Sequence, residues 1–155
     1  FDPESLGRWQ RDSIRDVDII VGCFLMIPRA LWERLEGFDE RFWMYGEDFD
    51  LCLRAGALGV RRILFPQARI VHVGGASERV RADKMARLFR AQAQFFRKHW
   101  STLAAAAGVR CLDLWCLTRL CGFALMSWRS ARFADARRSW REVWRQRACW
   151  QRPSA

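Results

Sequence analysis

The chain has 155 residues, 51% hydrophobic and 14% aromatic, which is enough apolar material for one core. It carries 27 Lys and Arg against 17 Asp and Glu, a formal charge of +10, and such a balance points to a polyanionic partner or an anionic membrane surface. None of the six cysteines forms Cys-x-x-Cys, which argues against a zinc or thioredoxin-type site and fits a reducing compartment; the polar opening Phe-Asp-Pro-Glu-Ser does not resemble a signal peptide, and the absent Met reads as an unnatural start.

Residues 1–16 are polar and broken by Pro3 and Gly7, and they read as a loop. Ile19 to Ile27 is almost continuously apolar and β-branched at its start, the pattern of a buried strand, with Gly22 marking a close backbone approach. Pro28 suits the first position of a short helix over Arg29 to Glu36, ended by Gly37, with Leu31, Trp32 and Leu35 on its apolar side.

The next stretch, Gly37 to Arg54, is the chain's densest in acids and aromatics. Tyr45-Gly46 reads as a turn. Glu47 and Asp48 then open a helix with Phe49, Leu53 and Leu58 at apolar positions and Gly59 as its stop. Carboxylates in a first helical turn face unpaired N–H groups and the positive end of the dipole, which favours the charged form that a general base needs. Asp50 lies about 200° around the helix from Asp48 and is expected to point elsewhere.

Val60 to Phe65 and Ala68 to Val73 read as two short strands divided by Pro66-Gln67. The second ends at His72, followed by Gly74-Gly75, whose backbone freedom could bring the imidazole to a ligand such as a divalent ion. A helix and two strands separate Asp48 from His72, so both could end at one rim of a sheet.

Residues 82–100 form the clearest helix, with Met85, Leu88, Phe89, Gln92, Phe95 and Phe96 at helical spacing and Lys84, Arg87, Arg90, Arg97 and Lys98 opposite. Leu103 to Met126 is apolar but interrupted by Arg110, Asp113 and Arg119, too often to cross a membrane. Residues 128–152 mix Trp128, Trp140, Trp144 and Trp150 with eight arginines against two acids. Trp and Arg together suit an interfacial helix on anionic lipid; the same mixture could stack on nucleic-acid bases, and a helical subdomain packed on another domain is the plainer alternative.

Three separated motifs occur in order: Gly37-Phe38-Asp39-Glu40-Arg41-Phe42, then Tyr45-Gly46-Glu47-Asp48-Phe49-Asp50-Leu51-Cys52-Leu53-Arg54, then His72-Val73-Gly74-Gly75-Ala76-Ser77. From about Val17 to about Trp100 this order closely resembles the C-terminal half of family-2 inverting glycosyltransferases, nearest the rhamnosyltransferase-like branch. The resemblance implies an α/β chain with a partial GT-A fold, a short mixed sheet with helices and an α-helical C-terminal tail. It divides the chain into residues 1–16 (a remnant loop), 17–80 (the acceptor-side half of the catalytic domain) and 81–155 (a basic, Trp-rich helical region).

By the same resemblance Asp48 is the catalytic base, Glu47 positions it or the acceptor, and His72 is a ligand of a Mg²⁺ or Mn²⁺ ion. Gly22, Cys23, Trp43 and Tyr45 fall to the acceptor, with Cys23 departing from the more usual Ala. The implied partners are a nucleotide-diphospho-sugar donor, rhamnose being the sugar of the branch resembled, a glycan or lipid-linked acceptor, and an anionic membrane surface. The implied place is cytoplasmic, peripheral on the inner face of the plasma membrane. Such enzymes hold the metal with an Asp-x-Asp after a strand, whereas Asp16-Val17-Asp18 precedes the apolar run and reads as a decoy. Eighteen residues ahead of Ile19 cannot supply a nucleotide-binding half of about 100 residues. The chain is therefore expected to lack that N-terminal half and to be inactive alone. A non-catalytic membrane- or partner-binding module, or a nucleic-acid-binding protein, are the rival classes.

Overall fold

A computed structural model describes residues 9–72 and 81–152. The chain forms two compact units: residues 1–39 with 47–73, and residues 40–46 with 74–155.

In the first unit, strands β1 (Arg15–Asp16) and β2 (Ile63–Leu64) pair antiparallel, with Arg15 opposite Leu64 and Asp16 opposite Ile63. Among the described residues this two-stranded antiparallel ribbon is the whole of the sheet, where a short mixed sheet was expected. Ile19 to Ile27 does not form the expected strand. Its middle is a short 3-10 turn, Gly22–Phe24, and Val21, Phe24 and Met26 are exposed. An apolar run announces burial or a ligand-facing surface, but only a pairing partner makes it a strand. Ala68 to His72 is likewise irregular, and Val73 lies outside the described residues.

Helix α1 (Arg29–Arg34) ends two residues before the expected Glu36. Glu36 takes the left-handed conformation at φ 59°, and its N–H and that of Gly37 donate back to the carbonyls of Glu33 and Trp32 at 3.1 and 3.0 Å. Gly37, also left-handed at φ 70°, is required for space, since a Cβ there would stand 2.9 Å from the Trp32 ring. Helix α2 (Glu47–Ala57) starts where the sequence places it and ends just before Leu58, and its buried side carries Asp50, Leu51, Cys52 and Ala55 rather than the expected Phe49, Leu53 and Leu58. Gly59 at φ 75° closes it, with the N–H groups of Gly59 and Val60 donating to Gly56 and Ala55 at 2.9 and 3.0 Å. Leu35, Leu51 and Ala55 form the small core between the two helices.

Arg54 ties these helices together. Its guanidinium donates to buried Asp50 at 2.7 Å, to the Leu35 carbonyl, and to the Gly37 carbonyl at 2.8 Å. The Leu35 carbonyl is one that the end of α1 leaves without a helical partner, and the Gly37 carbonyl lies just past it. Asp50 is thus turned to the interior, away from Asp48, as the helical spacing implied.

The second unit is a helical bundle of α3 (Arg81–His99), α4 (Thr102–Met126), α5 (Ala131–Arg145) and α6 (Ala148–Gln151). Its core holds Ala82, Ala86, Phe89 and Ala93 from α3, Val109, Leu112 and Cys116 from α4, Trp140 and Val143 from α5, and Trp150 from α6. The α3 stripe is therefore led by alanines, which admit close helix approach, and the expected Leu88 and Gln92 lie outside it.

The basic side of α3 is also partly engaged. Arg97 donates to the carbonyls of Trp150 and Gln151 at 2.7 and 2.9 Å, capping α6, and burial pulls its guanidinium below its usual pKa. Arg87 lies over the Trp43 ring and Lys98 over the Phe42 ring.

The tryptophans expected at a lipid boundary or under nucleic-acid bases are largely core residues. Trp150 is fully buried, Trp140 nearly so, and Trp144 packs against the same core. The charge in α4 that seemed to interrupt an apolar run is the reason: buried Asp113 accepts from Trp150 Nε1 at 3.0 Å and from Gln151 Nε2 at 3.0 and 3.1 Å, with Arg110 at 3.3 Å. Among the described residues no helix is long and apolar enough to cross a membrane.

Two consequences of this packing are measurable. The Phe96 and Trp100 rings stack at 4.2 Å above Gly108, and a Cβ at that glycine would sit 2.7 Å from Phe96. Gly108→Ala should lower stability to chemical denaturation by about 1–3 kcal/mol through overpacking, in spite of the helix propensity gained. Burial, aided by nearby Asp113, pushes the Cys116 thiol from 9.0 up to about 11. Its folded value lies above its unfolded one, so its contribution to stability is fully present below pH 9 and lost as pH rises toward 11. Cys116→Ala should flatten the stability profile over that interval.

Candidate functional site

The first turn of α2 supplies the carboxylates. The left-handed pair Tyr45 (φ 69°) and Gly46 (φ 87°) reverses the chain, and Glu47 and Asp48 follow at the helix start. This is the turn read from the sequence.

Asp48 is held by backbone donors. Its Oδ2 accepts from the Gly22 N–H at 2.8 Å and its Oδ1 from the Phe49 N–H at 2.9 Å. One turn along the same helix face, the Cys52 sulfur accepts from the Ile20 N–H at 3.3 Å, and its thiol faces the Ile20 carbonyl at 3.7 Å. Asp48 and Cys52 thus hold the irregular segment 20–22 against α2. Burial, with Asp48 nearby, pushes the Cys52 thiol up, so it stays a neutral packing group. A Cβ at Gly22 would meet Asp48 at 3.5 Å, an ordinary contact. Gly22 therefore serves here through its N–H rather than through lack of a side chain.

Each carboxylate oxygen has two lone pairs, and backbone contacts occupy one on each. Asp48 is half-buried, fixed in orientation and still able to receive a proton. Glu47 beside it is half-buried, and its Oε2 is shielded from solvent with no hydrogen-bond partner among the described residues. A buried polar atom without a partner costs stability, and a substrate hydroxyl would satisfy it.

Cys23 is exposed on the 3-10 turn next to Gly22. Trp43 and Tyr45 belong to the second unit, where the exposed Trp43 ring lies under Arg87. His72 is exposed, and among the described residues no hydrogen bond or ion pair joins it to Asp48. The convergence of these two residues at one rim is thus not seen as a contact; Gly74 and Gly75, which were to aim the imidazole, lie outside the described residues.

The same holds for the metal. Among the described residues no three His, Cys, Asp or Glu side chains gather where one ion could be held. The residues present do not fit a metal site by themselves. Asp16 is engaged by Arg61 through two contacts of 2.9 Å, which hold its carboxyl below the usual range, and Asp18 lies 3.6 Å from Arg62.

Arg54 was missed by the sequence reading. Its (i, i+4) spacing to Asp50 was the available signal, but its two carbonyl partners on α1 were not readable.

Residues 5–150 match the model of the family described as glycosyl transferase family group 2. The chain is 39% identical over 56 residues to the rhamnosyltransferase WbbL of Escherichia coli K12, covering 36% of this chain and 21% of that protein. It is 38% identical over 60 residues to an N-acetylglucosaminyl-diphospho-decaprenol L-rhamnosyltransferase of Mycobacterium tuberculosis, covering 39% and 20%. It is 38% identical over 63 residues to the O-antigen biosynthesis protein RfbC of Myxococcus xanthus, covering 41% and 5%. The matched segments thus span about a fifth or less of these relatives. No solved structure matches. With a family match running through most of its length, the chain belongs to glycosyl transferase family group 2, on its rhamnosyltransferase-like side.

Proposed function

We propose that this chain is the acceptor-side part of an inverting glycosyltransferase, with Asp48 as the general base. The reading is carried by one observation: Asp48, at the start of α2, is oriented by the Gly22 and Phe49 N–H groups while keeping lone pairs for a proton. The acceptor hydroxyl gives its proton to Asp48. Its oxygen bonds to the anomeric carbon of the donor sugar as the bond to the nucleotide diphosphate breaks, and the configuration inverts. Glu47, with its unpartnered oxygen, orients the acceptor hydroxyl. No step is assigned to a metal, because His72 is a single exposed imidazole without companion ligands among the described residues.

The relatives' names, two rhamnosyltransferases and an O-antigen biosynthesis protein, support a nucleotide-diphospho-sugar donor, with rhamnose as the sugar, and a glycan or lipid-linked acceptor. Donor binding belongs to a nucleotide-binding half supplied outside these 155 residues, consistent with the small share of each relative that is matched. A lipid-linked acceptor and a charge of +10 support a peripheral position on the inner face of the plasma membrane.

The test is product stereochemistry. Transfer by the full-length protein should yield an anomeric configuration opposite to that of the donor, seen by NMR; a retained configuration would overturn the mechanism. The isolated 155-residue chain should bind a nucleotide sugar weakly or not at all in calorimetry, and tight binding would overturn the division of labour.

A further inference from the structure

The segment that carries Gly22 lies along one face of α2 in step with the helix. Asp48, Cys52 and Gly56 stand four residues apart, so they share that face on three successive turns. Gly22, Ile20 and Asp18 answer them in reverse order. Gly22 donates its N–H to Asp48 Oδ2 at 2.8 Å. Ile20 donates its N–H to the Cys52 sulfur at 3.3 Å, and the thiol faces the Ile20 carbonyl at 3.7 Å. Over Gly56 lies the Arg62 guanidinium, which a Cβ there would meet at 2.5 Å. That guanidinium donates to the Asp18 carbonyl at 3.3 Å and stands 3.6 Å from the Asp18 carboxylate. Four helical residues rise about 6 Å and two extended residues advance about 6.6 Å, so alternate residues of the segment meet successive turns of the helix. Val21, between two of these contacts, is extended (φ −73°, ψ 135°) and exposed.

A segment without a strand partner must still satisfy its backbone. At Ile20 one side chain does so twice, because a thiol both accepts and donates. Alanine or valine at position 52 could do neither, and serine could do both. Burial pushes the Cys52 thiol up from 9.0, so it stays protonated through the acidic and neutral range and the contact does not titrate there. The charged groups beside this row are Asp48 and Glu47 on α2, and Arg62 with Asp18 on the other side. What the row fixes is the Gly22 N–H, a donor that favours the charged form of Asp48 and sets the direction of its carboxylate. We propose that Cys52 is a positioning residue for the base: by holding both backbone groups of Ile20 it keeps the Gly22 N–H on Asp48, and so holds the carboxylate ready for the acceptor's proton. This rests on the assignment of Asp48 as the base. The role requires a hydrogen-bonding group at position 52, where packing alone requires only apolar volume.

The test compares Cys52→Ser, Cys52→Val and Cys52→Ala in the full-length protein. In the valine and alanine variants the acidic limb of kcat should move up by about one pH unit, as the charged carboxylate loses a donor. The plateau rate should fall about tenfold, with KM for the donor unchanged within about twofold. Serine should bring both back toward the wild type, although it fills an apolar pocket less well than valine. Amide exchange over residues 19–22, followed by mass spectrometry, should be faster in the valine and alanine variants and slowed again in the serine variant. A packing role reverses this order, with valine nearest the wild type and serine furthest, and that result would overturn the proposal. So would an acidic limb at the wild-type pH in a folded valine or alanine variant. If the valine variant fails to fold, the alanine and serine pair carries the same comparison. Asp48→Asn separates the two claims. If it keeps the wild-type limb, the base assignment falls, and the exchange order still decides whether Cys52 holds the segment. If it loses the limb while Cys52→Ala keeps the wild-type one, the base stands and the positioning role falls.

Discussion

Asp48→Asn, made in the full-length protein, should lower kcat for sugar transfer by about 10²- to 10⁴-fold, the usual contribution of a positioned base. Asparagine is nearly isosteric, and its one side-chain oxygen can still accept the Gly22 N–H that Asp48 Oδ2 receives at 2.8 Å, giving up only the local contact with the Phe49 N–H. The link between segment 20–22 and α2 should therefore persist and the melting temperature stay close to that of the wild type. Donor affinity should be unchanged, because the lost interaction belongs to the transition state. Asp50→Asn provides the contrast. That carboxylate is buried against Arg54, so its loss should appear in stability before it appears in chemistry. If instead Asp50→Asn abolished transfer in a stable protein while Asp48→Asn did not, the base would be misassigned.

Trp150→Ala should cost about 3–5 kcal/mol, the range for removing a large buried aromatic. Trp150 packs edge-on to Phe89 at 5.1 Å, donates to Asp113, and lends its carbonyl to Arg97. Truncation opens a cavity in the centre of the bundle and deprives a buried carboxylate of one donor. Trp150→Phe keeps most of the ring and loses only the Nε1–H, so it should cost less, about 1–3 kcal/mol. Urea denaturation of both variants separates the packing contribution from the hydrogen bond. Equal losses would mean that the Asp113 contact, rather than the volume of the ring, dominates the site.

Helix ends were legible where one residue determines them. Gly59 closes α2 in a left-handed conformation that the sequence announces, and the Glu47-Asp48 pair marks the start of the same helix. Features set by distant partners were not legible. Ile19 to Ile27 has strand composition, yet what it meets is the face of α2 bearing Asp48 and Cys52, which take its N–H groups from the side. Asp113 reads as a break in an apolar run, because the donors that make its burial tolerable lie 37 and 38 residues further on. The same pairing draws Trp150 inward and reverses the expectation of a lipid-facing tail. In the site, the place of Asp48 in the first turn of a helix was readable, while its proposed role as base comes from the family resemblance. Its contact with Gly22 was not readable, since it depends on how the 3-10 turn is laid against α2.

The most direct measurement of the central assignment is the pH dependence of kcat for sugar transfer in the wild type and in Asp48→Asn, both in the full-length protein. If residue 48 is the proton acceptor, the wild-type rate should rise with pH along an acidic limb, and the variant's residual rate should lack that limb. An identical acidic limb in both proteins would contradict a proton acceptor at this position.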